Sequence, residues 1–217
     1  MNSSFSWESF EKMPVVGILR NMPPHHMQKL FAVYRDAGFT TIEVTMNSVG
    51  AAEAISSLVK MFDGQLNIGA GTVCTLEDLD EALSAGAQFI VTPVVVEAVI
   101  KACVKSGVPV FAGAFTPTEI YRAWELGASM VKVFPAGQFG PAYIKELLAP
   151  LNHIKLLPTG GITLENFTGF LKAGAKGLVV GSHLIPKALL ENEQWEELAS
   201  HLSGFAEKYR HFVQQMN

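Results

Sequence analysis

The chain has 217 residues and a formal net charge of −4, with 16 Lys and Arg against 20 Asp and Glu. This balance excludes a general nucleic-acid-binding surface, because there is no basic excess to neutralise a phosphate backbone. An anionic ligand must therefore be held by a local site. Hydrophobic residues make up 49% of the chain, so one domain of this length can bury about 70% of its unfolded surface or more.

The two cysteines, Cys74 and Cys103, lie in unrelated segments and form no CxxC pair, as expected for reduced thiols in a cytosolic protein. Residues 1–13 carry charges and lack the apolar core of a signal peptide. No apolar run is long enough to span a bilayer. We therefore expect a soluble cytoplasmic protein without a membrane or nucleic-acid partner.

Short apolar, β-branched runs alternate with longer helical patterns along the chain. Eight runs are predicted strands: Val15–Arg20, Thr40–Thr45, Leu66–Ala70, Gln88–Thr92, Val108–Ala112, Ser129–Phe134, Ile154–Pro158 and Gly177–Gly181. The predicted helices between and after them are Pro24–Ala37, Ala51–Phe62, Leu76–Ala85, Val94–Ser106, Pro117–Leu126, Ala142–Leu148, Leu164–Ala173 and Glu191–Arg210. Such alternation, without a linker, predicts one α/β domain over residues 1–217, folded as a closed (β/α)8 TIM barrel.

An internal repeat places four positions in register. Four gapless segments begin at a helix end with Ala-Gly or Leu-Gly and run into the second, fourth, sixth and eighth strands: 37–43, 85–91, 126–132 and 173–179. Alternate strands of a TIM barrel contribute four side chains to one interior layer. The repeat therefore predicts that Glu43, Val91, Lys132 and Val179 share a layer, with Glu43 and Lys132 on opposite walls.

This opposed pair has both a structural and a functional interpretation. A buried ion pair could satisfy itself, and Glu43 could equally be a structural partner of Arg20. However, the desolvation cost of a buried pair can exceed its Coulomb gain, so stability alone rarely favours one. Catalytic groups of a TIM barrel lie at the carboxyl ends of the strands, and we favour the functional interpretation.

Lys132 has the surroundings of a nucleophilic amine. Period-two alternation places it on one strand face with Met130 and Phe134. Burial between apolar neighbours favours the neutral amine, the form that attacks a ketone. The alternative is a strand-end lysine that extends into solvent. Glu43, sharing a face with Thr45, could act as general acid and base beside such an amine.

Glycine-rich segments follow three strands. In TIM barrels the loops after the last two strands frequently bind phosphate, and glycine lets the backbone N–H groups approach the anion. Gly160, Gly161, Gly181 and Ser182 occupy these two loops and predict a phosphate site. The segment Gly69–Thr72 could equally be a tight turn without a ligand.

No cofactor is expected. No HxH or HExxH pattern, Walker loop or GxGxxG motif occurs. His25 and His26 are adjacent at a predicted helix start, where neighbouring residues do not share a face. We therefore predict neither a metal site nor an organic cofactor.

The chain resembles the family of 2-keto-3-deoxy-6-phosphogluconate (KDPG) and 4-hydroxy-2-oxoglutarate (KHG) aldolases, class I enzymes of the Entner–Doudoroff pathway. The resemblance runs from about Val15 to Ala188. It rests on seven motifs in order: Ile18-Leu19-Arg20, Ile42-Glu43-Val44-Thr45, Gly69-Ala70-Gly71-Thr72, Val91-Thr92-Pro93, Val131-Lys132-Val133-Phe134-Pro135, Pro158-Thr159-Gly160-Gly161-Ile162 and Gly181-Ser182.

The resemblance implies a role for each matching residue. Lys132 would form a Schiff base with the keto acid, and Glu43 would be the acid/base. Residues that would bind the substrate are Arg20, Thr72, Pro93, Phe134 and Thr159. Residues that would bind its phosphate are Gly160, Gly161, Gly181 and Ser182. The resemblance also implies a metal-independent homotrimer and an N-terminal helix, about Ser4–Lys12 within residues 1–13, that caps the barrel of residues 14–217.

Two positions leave the substrate epimer open. Some family members have an Arg shortly after the catalytic Glu, whereas this chain has Asn47, which cannot replace a bidentate cation; Arg20 could take over. Met46-Asn47-Ser48 is similar to the 6-phosphogalactonate branch of the family. Thr159 differs from that branch, which typically has Val at this position. Thr159 therefore favours the gluconate epimer.

Two other function classes are weighed against the aldolase. A sugar-phosphate isomerase or epimerase would share the phosphate loops, but it would use carboxylates or a metal and need no buried lysine. A non-catalytic sensor of phosphorylated sugar acids would bind without turnover. Neither explains a desolvated amine opposite a carboxylate.

Overall fold

A computed structural model describes residues 4–216 of the chain. The ends of the predicted domain, residues 1–3 and 217, lie outside the described residues. All eight predicted strands are present: β1 Val15–Leu19, β2 Thr41–Thr45, β3 Asn67–Gly71, β4 Ile90–Val91, β5 Val110–Ala114, β6 Met130–Val133, β7 Leu156–Pro158 and β8 Leu178–Val180. They form one parallel sheet in the order β7-β6-β5-β4-β3-β2-β1-β8. The bridge between Thr159 and Val179 brings the edges together, so the predicted (β/α)8 barrel is confirmed.

Helices cover the outside of the barrel and close its amino-terminal end. They are α1 Trp7–Lys12, α2 Pro24–Asp36, α3 Ala51–Met61, α4 Leu76–Ser84, α5 Glu97–Ser106, α6 Pro117–Glu125, α7 Gly140–Leu148, α8 Phe167–Lys172, α9 Lys187–Glu191 and α10 Trp195–Met216, with a short 3-10 helix at Ala136–Gln138. None of these helices in residues 4–216 has the length and apolar character needed to cross a bilayer.

Most elements begin or end one to three residues from their predicted bounds, and two of the differences have an identifiable cause. β4 is shorter than predicted because the Gln88 side chain accepts the Ile68 N–H at 2.7 Å, where a strand carbonyl would otherwise serve. The predicted C-terminal helix is interrupted, since Glu193 adopts a left-handed backbone (φ 52°) between α9 and α10. Left-handed geometry cannot continue an α-helix.

The amino-terminal end of the barrel is filled by aromatic rings. Phe10 of α1 lies 6.0 Å from Phe111 between ring centroids, and Phe5 lies 5.3 Å from Phe89. The side chain of Asn67, at the start of β3, binds both the N–H and the C=O of Ser6. These contacts close the end of the barrel opposite to the carboxyl ends of the strands.

Candidate active site

Lys132 and Glu43 face each other inside the barrel. Lys132 Nζ lies 3.8 Å from Glu43 Oε1, and the residues are only 6% and 1% exposed. The other two members of the predicted layer, Val91 and Val179, belong to the apolar cluster of the barrel interior. The opposition predicted from the internal repeat is therefore present.

Glu43 is held in an unusual electrostatic environment. Burial raises the pKa of its carboxyl group, and the charges of Lys132 and Arg20 oppose that rise only in part. Its Oε2 has no hydrogen-bond partner among the described residues. A buried carboxyl group with a raised pKa and a free oxygen is suited to accept and return protons.

Glycines make room for the Glu43 side chain and for the loop after β4. In the sheet register Glu43 pairs with Gly69, and Lys132 pairs with Gly113. A Cβ atom at Gly71 would lie 2.6 Å from Glu43 Oε1, and one at Gly113 would collide with the backbone of Pro93. Side chains at these positions would displace the carboxylate or the loop after β4.

The segments after β3 and β6 contribute an unusual backbone and an aromatic ring. Thr72 has φ 57°, which is rare for a β-branched residue and is found preferentially at functional sites. The ring of Phe134 lies 5.8 Å from Lys132 Nζ and is 43% exposed. Lys132 is thus buried, and Phe134 covers its amine from one side only.

A cavity of about 680 Å³ opens at the carboxyl ends of β1, β7 and β8. Its lining includes Arg20, Phe134, Thr159 and Val179, so it adjoins the layer that holds Lys132 and Glu43. Thr159 is buried and donates from Oγ1 to Leu157 O at 3.2 Å. The cavity is large enough for a small sugar acid.

The predicted phosphate-binding residues line the same cavity: Gly160, Gly161, Gly181 and Ser182. Gly160 and Gly161 have φ values of 89° and 67°, a conformation that favours glycine. The carbonyl of Gly161 accepts a hydrogen bond from Asn166 Nδ2 at 2.9 Å, which fixes the loop. The loops after β7 and β8 thus expose backbone groups and the Ser182 hydroxyl group to the same cavity.

Two of the predicted substrate-binding residues lie at the carboxyl ends of the strands but outside the large cavity. Thr72 and Pro93 are half-buried after β3 and β4, and neither lines the large cavity. Pro93 lies beside Gly113, the sheet partner of Lys132. Both are therefore on the Lys132–Glu43 side of the site.

Sequence reasoning missed other cavity residues, among them His26, His183 and Lys187. The position of His183 and Lys187 shortly after β8 is a signal that could have identified them. His25 is exposed and His26 is buried, as expected for adjacent residues on different helix faces, yet their ring centroids are only 4.0 Å apart.

Comparisons with known proteins agree with this geometry. A model of the KDPG and KHG aldolase family matches residues 8–201. The 2-dehydro-3-deoxy-6-phosphogalactonate aldolase of Escherichia coli (strain K12) is 35% identical over 209 residues, which is 96% of this chain and 99% of the relative.

Two solved structures are also similar. The KDPG aldolase of Legionella pneumophila, captured with pyruvate as a covalent carbinolamine intermediate, has a TM-score of 0.83 at 26% identity and covers 91% of this chain and 96% of its own. A designed cage made by fusing symmetric oligomeric domains has a TM-score of 0.86 at 35% identity, covering 94% of this chain and 75% of the cage chain. The chain belongs to the KDPG and KHG aldolase family and is an aldolase, a carbon–carbon lyase.

Proposed function

We propose that the chain cleaves 2-keto-3-deoxy-6-phosphogluconate to pyruvate and glyceraldehyde 3-phosphate through a Schiff base on Lys132. The observation that carries the proposal is the buried Lys132 amine 3.8 Å from the Glu43 carboxyl group. The covalent carbinolamine captured with pyruvate in the Legionella relative supports an amine nucleophile of this kind.

Imine formation needs a neutral amine and a proton shuttle. Lys132 Nζ attacks the C2 ketone of the substrate, and Glu43 returns a proton to the C2 oxygen, which leaves as water. The resulting protonated imine withdraws electrons from C3. The raised pKa of Glu43 suits this role, because it makes the carboxyl group a weaker acid whose carboxylate accepts a proton more readily.

Cleavage uses the same two residues. Glu43, or a water that it orients, takes the proton of the C4 hydroxyl, the C4 oxygen forms a carbonyl, and the C3–C4 bond electrons move into the imine. The aldehyde leaves, and the enamine is protonated at C3. Water then hydrolyses the imine, which releases pyruvate and free Lys132.

The ends of the substrate are assigned to different parts of the site. Arg20 would bind the carboxylate with its planar guanidinium, and Thr72, Pro93 and Phe134 would enclose the pyruvate half. Thr159 would contact the hydroxylated middle. The phosphate would lie in the large cavity against the two glycine loops.

Borohydride trapping tests the Schiff base. We expect reduction in the presence of pyruvate to label Lys132, identified by peptide mass spectrometry. Lys132→Arg should abolish both the label and turnover, whereas Lys155→Arg, an exposed lysine near Trp7, should preserve them. Active wild-type protein without a label on Lys132 would overturn the proposal.

The phosphate assignment has its own test. Ser182→Asp should raise KM for the phosphorylated substrate by about tenfold or more, since loss of a charge-assisted hydrogen bond costs about 1.5–3 kcal/mol. Ser182→Asn has similar size without the charge and should raise KM less. Trapping with pyruvate, which has no phosphate, should remain unchanged. An unaltered KM in Ser182→Asp would refute the assignment.

The 6-phosphogalactonate epimer is a second candidate. The E. coli relative acts on that epimer by name, and the segment Met46-Asn47-Ser48 is similar to that branch. Measuring kcat/KM for both epimers decides between them. A higher value for the gluconate epimer supports our proposal, and a higher value for the galactonate epimer replaces it.

We also propose that the protein is a cytoplasmic homotrimer. The relation to a cage built from symmetric oligomeric domains supports self-association. Phe115, Phe139 and Tyr143 form an aromatic cluster beyond β5 and β6, and Phe139 is 60% exposed. Exposed apolar patches often mark interfaces. The unpaired thiols of Cys74 and Cys103 fit a reducing compartment.

Light scattering tests the assembly. Wild type should have the mass of three chains, and Phe139→Lys should lower it. Met61→Lys, at another partly exposed apolar side chain, serves as the control. A monomeric wild type would contradict the proposal.

A further inference from the structure

Three side chains that commonly bind metals lie together beside the cavity, and one of them, His26, lines it. One ligand atom each from His25, His26 and Glu193 lies within 4.8 Å of the other two. His25 and His26 begin α2, and Glu193 lies between α9 and α10. We propose that these three residues form a binding site for a divalent transition-metal ion.

His26 provides an unpartnered donor to this site. The residue is 6% exposed, and its Nδ1 has no hydrogen-bond partner within residues 4–216. Burying an imidazole nitrogen without a partner costs free energy, and a metal ion would supply the missing partner. The ring also packs against Trp195 at 5.5 Å between centroids, which holds it in place.

Glu193 is brought to the histidines by a strained backbone. Its φ of 52° is uncommon for a residue other than glycine. The turn is fixed on both sides, because Gln194 N donates to Leu189 O at 2.8 Å and Glu193 N donates to Leu190 O at 3.0 Å. A metal ion bound by the Glu193 carboxylate would offset the free-energy cost of this backbone conformation.

The donor set selects the kind of metal. Two imidazoles and one carboxylate suit Zn²⁺, Co²⁺ or Ni²⁺, whereas Mg²⁺ and Ca²⁺ prefer oxygen ligands throughout. His25 and Glu193 are exposed, so their side chains can rotate to close the coordination sphere around the fixed His26 ring.

A bound ion would tie two distant parts of the chain together. It would join the start of α2 to the α9–α10 connection. His26 and Leu190 from these two parts both line the cavity, so the ion would fix one wall of the proposed substrate site. The Lys132–Glu43 chemistry itself needs no metal, and the two proposals stand independently.

Calorimetric titration with Zn²⁺ tests the site, using chelator-treated full-length protein without a histidine tag. We expect one ion per chain. His25→Gln and Glu193→Gln should each weaken binding by about tenfold or more, while His211→Gln, an exposed histidine elsewhere on α10, should leave it unchanged. Co²⁺ should give ligand-field absorption that both site variants lose.

Thermal denaturation provides a second measurement. Zn²⁺ should raise the Tm of wild type and His211→Gln, because a ligand that binds the folded state stabilises it, and should not raise that of Glu193→Gln. The inference fails if Zn²⁺ binding is not saturable, or if His25→Gln and Glu193→Gln bind as His211→Gln does. Pyruvate trapping on the same samples shows separately whether the aldolase proposal stands.

Discussion

Glu43 combines a stability cost with a proposed catalytic use. Its raised pKa means that the folded protein favours the neutral carboxyl group more than the unfolded chain does. The associated stability is therefore complete below the ordinary carboxyl pKa of 4.5 and is lost as pH rises through the raised value. Ionisation of the buried carboxyl group therefore destabilises the fold.

Glu43→Gln, which mimics the neutral acid, should consequently be more stable than wild type at pH 8. We expect a higher free energy of unfolding for the variant, because Gln avoids the cost of burying a carboxylate charge. The gain should shrink towards pH 4, while kcat falls by about 100-fold or more. Tm and kcat measured from pH 4 to 8 check both effects. A Tm difference that is constant with pH would contradict the assignment.

Gly71 should be required for the position of the Glu43 carboxylate. In Gly71→Ala the new Cβ would lie 2.6 Å from Glu43 Oε1, so the carboxylate must move, and a side chain forced off a staggered rotamer costs about 1 kcal/mol. We expect kcat to fall roughly fivefold to tenfold and pyruvate trapping to slow. Gly204→Ala, which has only ordinary contacts, is the control. Equal kcat values would show that the carboxylate position is not critical.

The internal repeat made part of the site predictable from sequence. Glu43 and Lys132 occupy equivalent positions of gapless segments, so barrel geometry alone placed them opposite each other. His26 and Glu193 could not be found in this way. Their proximity depends on how α2 meets the α9–α10 connection, and that contact has no sequence periodicity.

The alternation of apolar runs and helical patterns predicted which strands and helices exist, but it did not predict the exact residues at which several of them begin or end. The apolar runs identified all eight strands. The length of β4 depends on the Gln88 side chain replacing a backbone acceptor, and the break before α10 depends on a left-handed Glu193. Each difference depends on the conformation of a single residue, which helix and strand propensities do not predict.

α10 contains a glycine that can be replaced with a gain in stability. Gly204 lies inside the helix, and a Cβ there would meet Leu164 at an ordinary 3.6 Å. Gly204→Ala should stabilise the protein by roughly 0.5–1 kcal/mol and raise Tm by about 1–4 °C. Gly174→Ala is the matched contrast, since φ is 105° and the Cβ would lie 2.7 Å from Leu148; it should lower Tm. Calorimetry of both variants checks this, and a lower Tm for Gly204→Ala would contradict it.

The two ends of the barrel differ in what they contribute to the protein. The carboxyl ends of the strands hold Lys132, Glu43 and the cavity. The amino-terminal end holds the aromatic cluster that α1 closes. Residues at the first end should therefore affect turnover, and residues at the second end should affect the free energy of unfolding.

Phe10→Ala tests this division directly. Phe10 is 1% exposed and packs against Phe5 and Phe111, so its truncation should destabilise the fold by about 3–5 kcal/mol. Tyr121→Ala, at an aromatic side chain that is 46% exposed, should change stability far less. Urea unfolding gives the free energies, and kcat measured well below the Tm of Phe10→Ala should match wild type. A lower kcat in fully folded Phe10→Ala protein would contradict this division. It would mean that a change at the closed end alters the position of Lys132 through β5 or β6, so that the two ends of the barrel are not independent.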